Sequence, residues 1–545
     1  MDVNGSSLIK KISLIMERSK DMSENLMKSD YDVLIIGAGL AGLTLAKQLL
    51  DRDSSLDICI VHNRRFPYPE RIHKVGESTI EIGAYYLADT IGCSDHLKRS
   101  HLRKMAMRFI DTRGDAHNEK YKEVGLDNYP EHHTFQLDRG KIENHIRDLL
   151  DNRVTLSENM RVLDIDKIDD GYLVSVRDHA GVVSKRKTRW VVDASGRGRV
   201  LMKKFNLQKE SALNRSAVWF RVAGKLDINE FLNEEDEINP FRFSRERGHS
   251  TTHLTGKGYW VWIIPISNET TSVGIVFDNE IHNLANMSSY RLACEWLGKF
   301  EPSFLRYLET KNLPVIDFVM SKNYSYLSSK FISNDGWALT GEAGGFVDPL
   351  YSNGTDFIAI SNTMITNAIT RPKGEWQIDL MNRVLTETYE SFVETHRGAL
   401  LNFGDWSYVV VKTSWDTCFY FMFLPVLYLN GKIDELDFFD RYMSDITEFH
   451  NVHRRVTDHL RQRAALQHFR DLPRFINLAG SMLQYAHACM ILPDKSDEIV
   501  LARLRENMKI LNKLADAITI HGDFDKQFHD LPKYLPSPWL LPRSL

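Results

Sequence analysis

YDVLIIGAGLAGLTLAKQLL, from Tyr31 to Leu50, decides how this chain folds. Val33 to Ile36 form a short apolar run of the kind that makes a buried strand. Gly37, Ala38, Gly39 and Gly42 follow in the spacing G-x-G-x-x-G, and Leu43 to Leu50 then read as an amphipathic helix. Strand, glycine turn and helix in that order are a dinucleotide-binding unit. The glycines allow a tight turn and close backbone approach, and a pyrophosphate sits on the positive end of the helix. LDICIVH, residues 56–62, reads as the next parallel strand. Such sites place an acidic residue about 20 positions beyond the glycines to hold ribose hydroxyls. His62 stands there instead, and a neutral imidazole is expected to bond a hydroxyl in its place.

At 545 residues the chain suits two or more domains with an ample core. Its 69 Lys and Arg against 73 Asp and Glu leave no basic footprint for nucleic acid. Five cysteines (Cys59, Cys93, Cys294, Cys418, Cys489) are scattered and lack C-x-x-C pairing, which favours free thiols in a reducing compartment. LIKKISLIM (8–16) is short and broken by lysine, and CFYFMFLPVLYL (418–429) is too short to span a bilayer. The expectation is a cytoplasmic protein with no membrane span.

From Lys74 to Leu87 the chain reads KVGESTIEIGAYYL, a Gly-Glu-Ser turn beyond the second strand. This resembles the flavin-dependent halogenases, which carry V-G-E-S/A at that point. The resemblance continues in order over roughly residues 31–370. QLDRGKIENHIRDLL (136–150) is similar to the segment that brings an arginine, here Arg139, to the flavin. RWVVDASGRG (189–198) resembles the strand and turn beside the adenosine half of FAD. WVWIIP (260–265) matches W-x-W-x-I-P, the most discriminating box of the family. GWALTGEAGGFVDPLYSNG (336–354) resembles the second flavin segment, with Glu342 where relatives carry Asp or Asn.

The resemblance implies an α/β fold: a glutathione-reductase-like, Rossmann-type FAD-binding core with a β-rich substrate region and a mostly helical C-terminal cap. Residues 1–30 are then an N-terminal extension, 31–370 the core, and 371–545 the cap with a proline-rich tail. It implies FAD, used as FADH2, held by Gly37, Ala38, Gly39, Gly42, His62, Glu77, Ser78, Arg139, Asp193, Gly196, Glu342 and Asp348. A helix from Thr355 to Ile369 would open just after Ser352, Asn353 and Gly354, and its positive end suits a halide ion, chloride or bromide. Trp260, Trp262 and Pro265 would wall the flavin from the substrate. Read without the resemblance, the two tryptophans are one face of a buried strand, Asp193 and Arg197 an ordinary turn with a solvated charge, and Glu77 a helix cap. His450 and His453, spaced i,i+3 among arginines, read as a solvated helical face rather than as metal ligands, so no metal site is expected.

The implied chemistry runs through a flavin hydroperoxide to hypohalous acid, which reaches a lysine. In the tryptophan-directed branch that lysine lies just past the Gly-Glu turn, where Thr79 to Leu87 offer none. In the phenol-directed branch it lies further on, before a strand, and RKMAMRF (103–109) puts Lys104 there, with Lys74 the nearest competitor. Tyr351, in DPLYSNG, stands where tryptophan-directed enzymes carry glutamate and points to the same branch. The catalytic set is therefore Lys104, Glu77 and Tyr351, acting on a small phenol-like substrate, free or borne by a carrier protein. One glycine motif leaves no second site for NAD(P)H, so a separate flavin reductase is the expected partner. The rivals are an FAD aromatic monooxygenase without halide use, and a non-catalytic flavin-binding partner.

Overall fold

Tyr31–Ile36 is the central strand of a parallel sheet, flanked in register by Ile58–Val61 and by Val183–Asp193. The computed structural model describes residues 31–69, 74, 76–112, 121–126, 129–150, 153–210, 213–232, 245–371, 374–462, 475–478 and 482–521. The expected N-terminal extension and the proline-rich tail lie outside them. The helix Leu40–Arg52 follows the glycine turn, with Gly39 at its N-cap. It begins earlier than its apolar period suggests, because the glycine turn itself supplies the first helical turn. Ile332–Ser333, Trp337–Leu339 and Val154–Ser157 complete the sheet, and Arg161–Ile168 and Gly171–Arg177 fold onto it as an antiparallel extension. Every strand residue from Val33 to Ile36 is buried on both faces, which is why the run reads as apolar without alternation.

A second sheet carries the other half of the site. Its order is Val315–Ser321, Arg215–Val222, Thr270–Asp278, Tyr259–Ser267, Thr251–Gly256, Met107–Asp111, Lys122–Gly125 and Phe475–Asn477. Residues directly opposite one another across a sheet share a face. The pairing therefore sets Val319, Trp219, Gly274, Trp262, His253 and Phe109 in one row across five strand boundaries. Gly274 is what lets Trp262 lie in that row: a Cβ there would fall 2.2 Å from the indole.

The C-terminal part is mostly helical, with long helices at Glu375–His396, Trp406–Met422, Leu436–Gln462 and Asp497–Asp516. One of its segments, Phe475–Asn477, joins the second sheet at the edge, parallel to Lys122–Gly125. The aromatic run 418–429 is buried helix, packed into the largest core cluster. No helix among the described residues is long and apolar enough to cross a membrane.

Candidate active site

Two cavities meet along the row of rings. The larger is a cleft of about 810 Å³ running from the glycine turn to the helix that starts at Gly354. The smaller, about 110 Å³, lies between the second sheet and the helical part, and Lys104 and Tyr351 line it. Trp219, Trp260, Trp262 and His253 face the cleft, whereas Phe109 faces the smaller cavity. His253 lies 5.4 Å from Trp260 and stacks on Phe109 at 4.6 Å, so three rings in succession close the gap. Tyr351 continues the wall, 6.4 Å from Phe109.

Two chain segments cross the same boundary. Glu77 and Ser78 face the cleft, while Ile80 and Glu81 line the smaller cavity. Pro349, Ser352 and Asn353 face the cleft, while Tyr351 turns the other way. Lys104, the last residue of the strand Leu102–Lys104, is 1% exposed and donates from Nζ to the Thr79 carbonyl at 3.0 Å, where the first of these segments crosses. Burial lowers its pKa to about 8, against the pull of Glu81 and Asp356. Glu77 is buried beside the tryptophans, and burial raises its pKa to about 7 against the Ser272 hydrogen bond. It caps no helix: the helix Glu81–Tyr85 has Ile80 at its N-cap. Tyr351 donates to Asp416 at 2.7 Å.

The glycine turn fits a pyrophosphate. A Cβ on Gly39 would meet nothing within 4 Å, so its backbone stands open to the cleft, whereas one on Gly42 would lie 2.0 Å from the Gly37 carbonyl oxygen. Ala38 is held by its N–H, donated to His62 Nδ1 at 3.1 Å. Gly196 turns with φ +59° and lines the cleft, and Glu342 faces it in an ion pair with Arg197 at 3.4 Å. Arg139, first residue of the helix Arg139–Leu149, reaches the cleft with its guanidinium braced on Glu143 at 2.6 Å. Ser78 shares a 3.1 Å hydrogen bond with Thr251. Ser352 takes φ +61°, Asn353 is the N-cap and Gly354 opens the seventeen-residue helix. Asn353 and Trp260 line the cleft, and each keeps a buried N–H donor, Nδ2 and Nε1, without a hydrogen-bond partner.

Several expected contacts fall elsewhere. His62 lines the cleft, but both ring nitrogens are taken, Nδ1 by Ala38 and Nε2 by the Tyr68 hydroxyl, so it braces the turn instead of meeting a ribose. Burial lowers its pKa to about 4 and keeps it neutral. Asp193 is fully buried beneath the Ser195 turn, accepting from Ser195 N at 2.9 Å and Leu201 N at 2.7 Å. Asp348 accepts from Arg215 at 2.6 Å and Tyr324 at 2.7 Å, anchoring the loop from behind. Pro265 sits at a register shift beyond the wall, outside the cleft lining. His450 and His453 are no solvated face: His453 is buried against Trp415 and Thr395, and His450 lines the smaller cavity. The apolar helix pattern around them gave no sign of which face turned inward. Among the described residues no group of three or more His, Cys, Asp or Glu could hold a metal ion. His253, Phe109, Trp219 and Asp416 escaped the sequence reading; cross-strand register with Trp262 is the only signal for the first three.

A Rossmann-type core and a second sheet bearing an indole wall define a dinucleotide-binding class of fold with a large cleft beside a smaller side cavity. The profile of the tryptophan halogenase family matches residues 116–397, and the chain belongs to that family. Flavin-dependent halogenase chlA of Dictyostelium discoideum is 26% identical over 381 residues, covering 64% of this chain and 61% of that protein. The 1H-pyrrole-2-carbonyl-[peptidyl-carrier protein] chlorinase of Pseudomonas fluorescens is 26% identical over 371 residues, 62% of this chain and 75% of that one. The chain thus spans about three fifths of the length of the Dictyostelium relative. The crystal structure of halogenase PltM superimposes with a TM-score of 0.62 at 16% identity, over 92% of this chain and 99% of PltM, which shows the shared fold.

Proposed function

We propose that this protein halogenates an electron-rich, phenol-like aromatic, with FADH2, O2 and a halide as co-reactants. The observation that carries the reading is the buried Lys104 lining an apolar cavity, with Trp260, His253 and Phe109 between it and the cleft. Bound in the cleft and reduced, FAD supplies the two-electron chemistry that turns halide and oxygen into hypohalous acid. The residues that would hold it are the Gly37–Gly42 turn, Arg139 and the Ser195–Gly198 turn, with Ser352, Asn353 and Gly354 presenting N–H groups to the halide. The wall keeps the arene from the cleft, so the oxidant is spent on halide. Lys104 then hydrogen-bonds hypohalous acid at the cavity mouth and fixes where the halogen is delivered.

A cavity near 110 Å³ is of the order that holds one benzene ring, roughly 150 Å³, which supports a single-ring substrate. A relative is named for a substrate on a peptidyl-carrier protein, so a tethered ring is the second form to test. Reduction would come from a separate flavin reductase, and five free thiols suit a reducing cytoplasm. The test is product analysis by mass spectrometry with reductase, NADH, O2 and bromide, with and without bromide. A brominated arene that needs bromide is expected; a hydroxylated arene formed equally without halide would favour the monooxygenase reading.

A further inference from the structure

A third cavity, a groove of about 450 Å³, opens between the helices Glu375–His396 and Leu436–Gln462, and nothing in the chemistry above uses it. The smaller cavity shares no lining residue with the cleft, yet it shares two, Ser391 and His450, with this groove. Helical spacing explains the overlap. On the first helix Thr388, Ser391, Phe392 and Thr395 form one stripe, at i, i+3, i+4 and i+7, and line the smaller cavity. Glu387, Glu390, Ser391 and Glu394 form the next stripe and line the groove. Ser391 stands where the stripes meet and is the smallest side chain of either. His450 comes from the second helix. Its ring meets Phe423, which lines the smaller cavity, edge-on at 5.2 Å, and its Nε2 lies 4.0 Å from Glu387, which lines the groove. Exposure falls along this line: Glu390, Arg397 and Arg454 of the groove are exposed, Ser391 and His450 half-buried, Thr388 and Thr395 buried. Burial holds the His450 pKa at about 4 and keeps the ring neutral, and the Glu387 beside it is paired with Arg383 at 2.8 Å. A neutral ring passes such a neck with less cost than an anion, which would shed its water beside a carboxylate.

We propose that the arene enters and leaves the smaller cavity through this groove, as an uncharged molecule passing between Ser391 and His450. This rests on the halogenase reading above for what the ring is. The groove, about 450 Å³ against about 110 Å³ for the smaller cavity, has room for a ring outside the neck. Rotation of the imidazole admits it, a side-chain motion fast beside turnover. Arene and oxidant then arrive from different sides, the arene through the helical part and hypohalous acid from the cleft. The arene never crosses the cleft, so it exchanges while FAD stays bound. Ser391 and His450 set how fast the ring comes and goes, not how tightly it is held.

The test reads the exchange of 4-fluorophenol with the resting, FAD-loaded protein by fluorine NMR line shape, which needs no turnover. Ser391→Cys keeps a small side chain that benzyl methanethiosulfonate can plug from the groove and dithiothreitol can clear. Wild type treated in the same way controls for the native thiols. The plug should slow association and dissociation together by about tenfold or more, with the dissociation constant held within about twofold, and dithiothreitol should restore both rates. His450→Ala, which needs no reagent, should speed both rates by about threefold or more. Rates unmoved by the plug, or by His450→Ala, would overturn the proposal. So would a plug that weakens binding and leaves association unchanged, since Ser391 would then belong to the wall that holds the ring. Absence of any saturable 4-fluorophenol binding overturns it as well. Failure of the halogenase reading shows elsewhere, in the bromide-dependence of the product, whatever these rates do.

Discussion

Phe109 stacks on His253 with centroids 4.6 Å apart and planes 17° apart, the phenyl ring facing the smaller cavity and the imidazole facing the cleft. The pair is set by register, since the two Cα positions are direct partners in parallel strands. Burial holds His253 at a pKa of about 3, and its Nδ1–H donates to the Arg108 carbonyl at 3.1 Å. The wall is therefore uncharged at neutral pH, which suits passage of a neutral oxidant and not of a bulky arene.

Opening that wall should mix the two compartments. Trp260→Ala and Phe109→Ala each remove a large buried ring, at a cost of about 3–5 kcal/mol in stability. Variants that still fold and hold FAD should release hydroxylated or unreacted arene in place of part of the halogenated product. Liquid chromatography with mass spectrometry checks this, and unchanged product ratios would count against a separating role.

Two glycines of the turn should fail in different ways. Gly39 has φ −82° and open space at its Cβ, so Gly39→Val should leave the thermal midpoint within about 2 °C and weaken FAD binding by about 100-fold. Gly42→Val drives a side chain into the Gly37 carbonyl and should cost about 3 kcal/mol or more. Flavin titration and calorimetry separate the two outcomes. Equal loss of stability in both would argue that Gly39 does not face the cofactor.

Lys104→Ala should still form hypohalous acid, seen with a halogen trap in solution, yet lose about 100-fold or more of aromatic halogenation. Lys104→Arg should not rescue it, because the guanidinium holds its proton too tightly to pass one on. Lys74 pairs with Glu143 and faces the cleft, so Lys74→Ala should weaken FAD binding and leave delivery intact. The reverse pattern would make Lys74 the delivering residue.

The pH dependence of Lys104 has a defined sign. Its pKa is about 8 in the folded chain and 10.5 as an ordinary lysine. Below pH 8 both folded and unfolded chains hold the proton, and burial of the ammonium costs stability in full. Between 8 and 10.5 the unfolded chain binds more proton, so stability rises with pH across that window. Urea unfolding of the wild type should show this rise and Lys104→Met should lack it. Halogenated product per hypohalous acid formed should fall as pH rises through about 8, where the folded ammonium is lost.

The core was legible because its signals are local. Strand, glycine turn and helix lie within Tyr31–Leu50, and each fixes the next by sterics. Lys104 and Tyr351 reach one cavity through segments that resemble the family's. What the sequence hid was tertiary: Asp193 and Asp348 sit in turns that resemble the family's flavin segments, but a carboxylate next to free backbone N–H groups or a buried arginine is drawn inward to them. His62 braces the turn for the same reason, its two nitrogens meeting partners from Ala38 and Tyr68 that no spacing rule foresees. Asp416 comes from the helical part, where apolar periodicity marks a buried face and says nothing of which polar side chain meets Tyr351.

The central claim is that oxidant made in the cleft is delivered by Lys104 to a ring in a second compartment. Its most direct test is a single turnover: anaerobically reduced, FAD-loaded protein holding phenol is mixed with oxygen and bromide, and the product is weighed by mass spectrometry for wild type and Lys104→Ala. Bromophenol from the wild type alone, and only with bromide present, is the predicted result. An oxygenated arene formed without bromide, or equal bromophenol from both proteins, would contradict it.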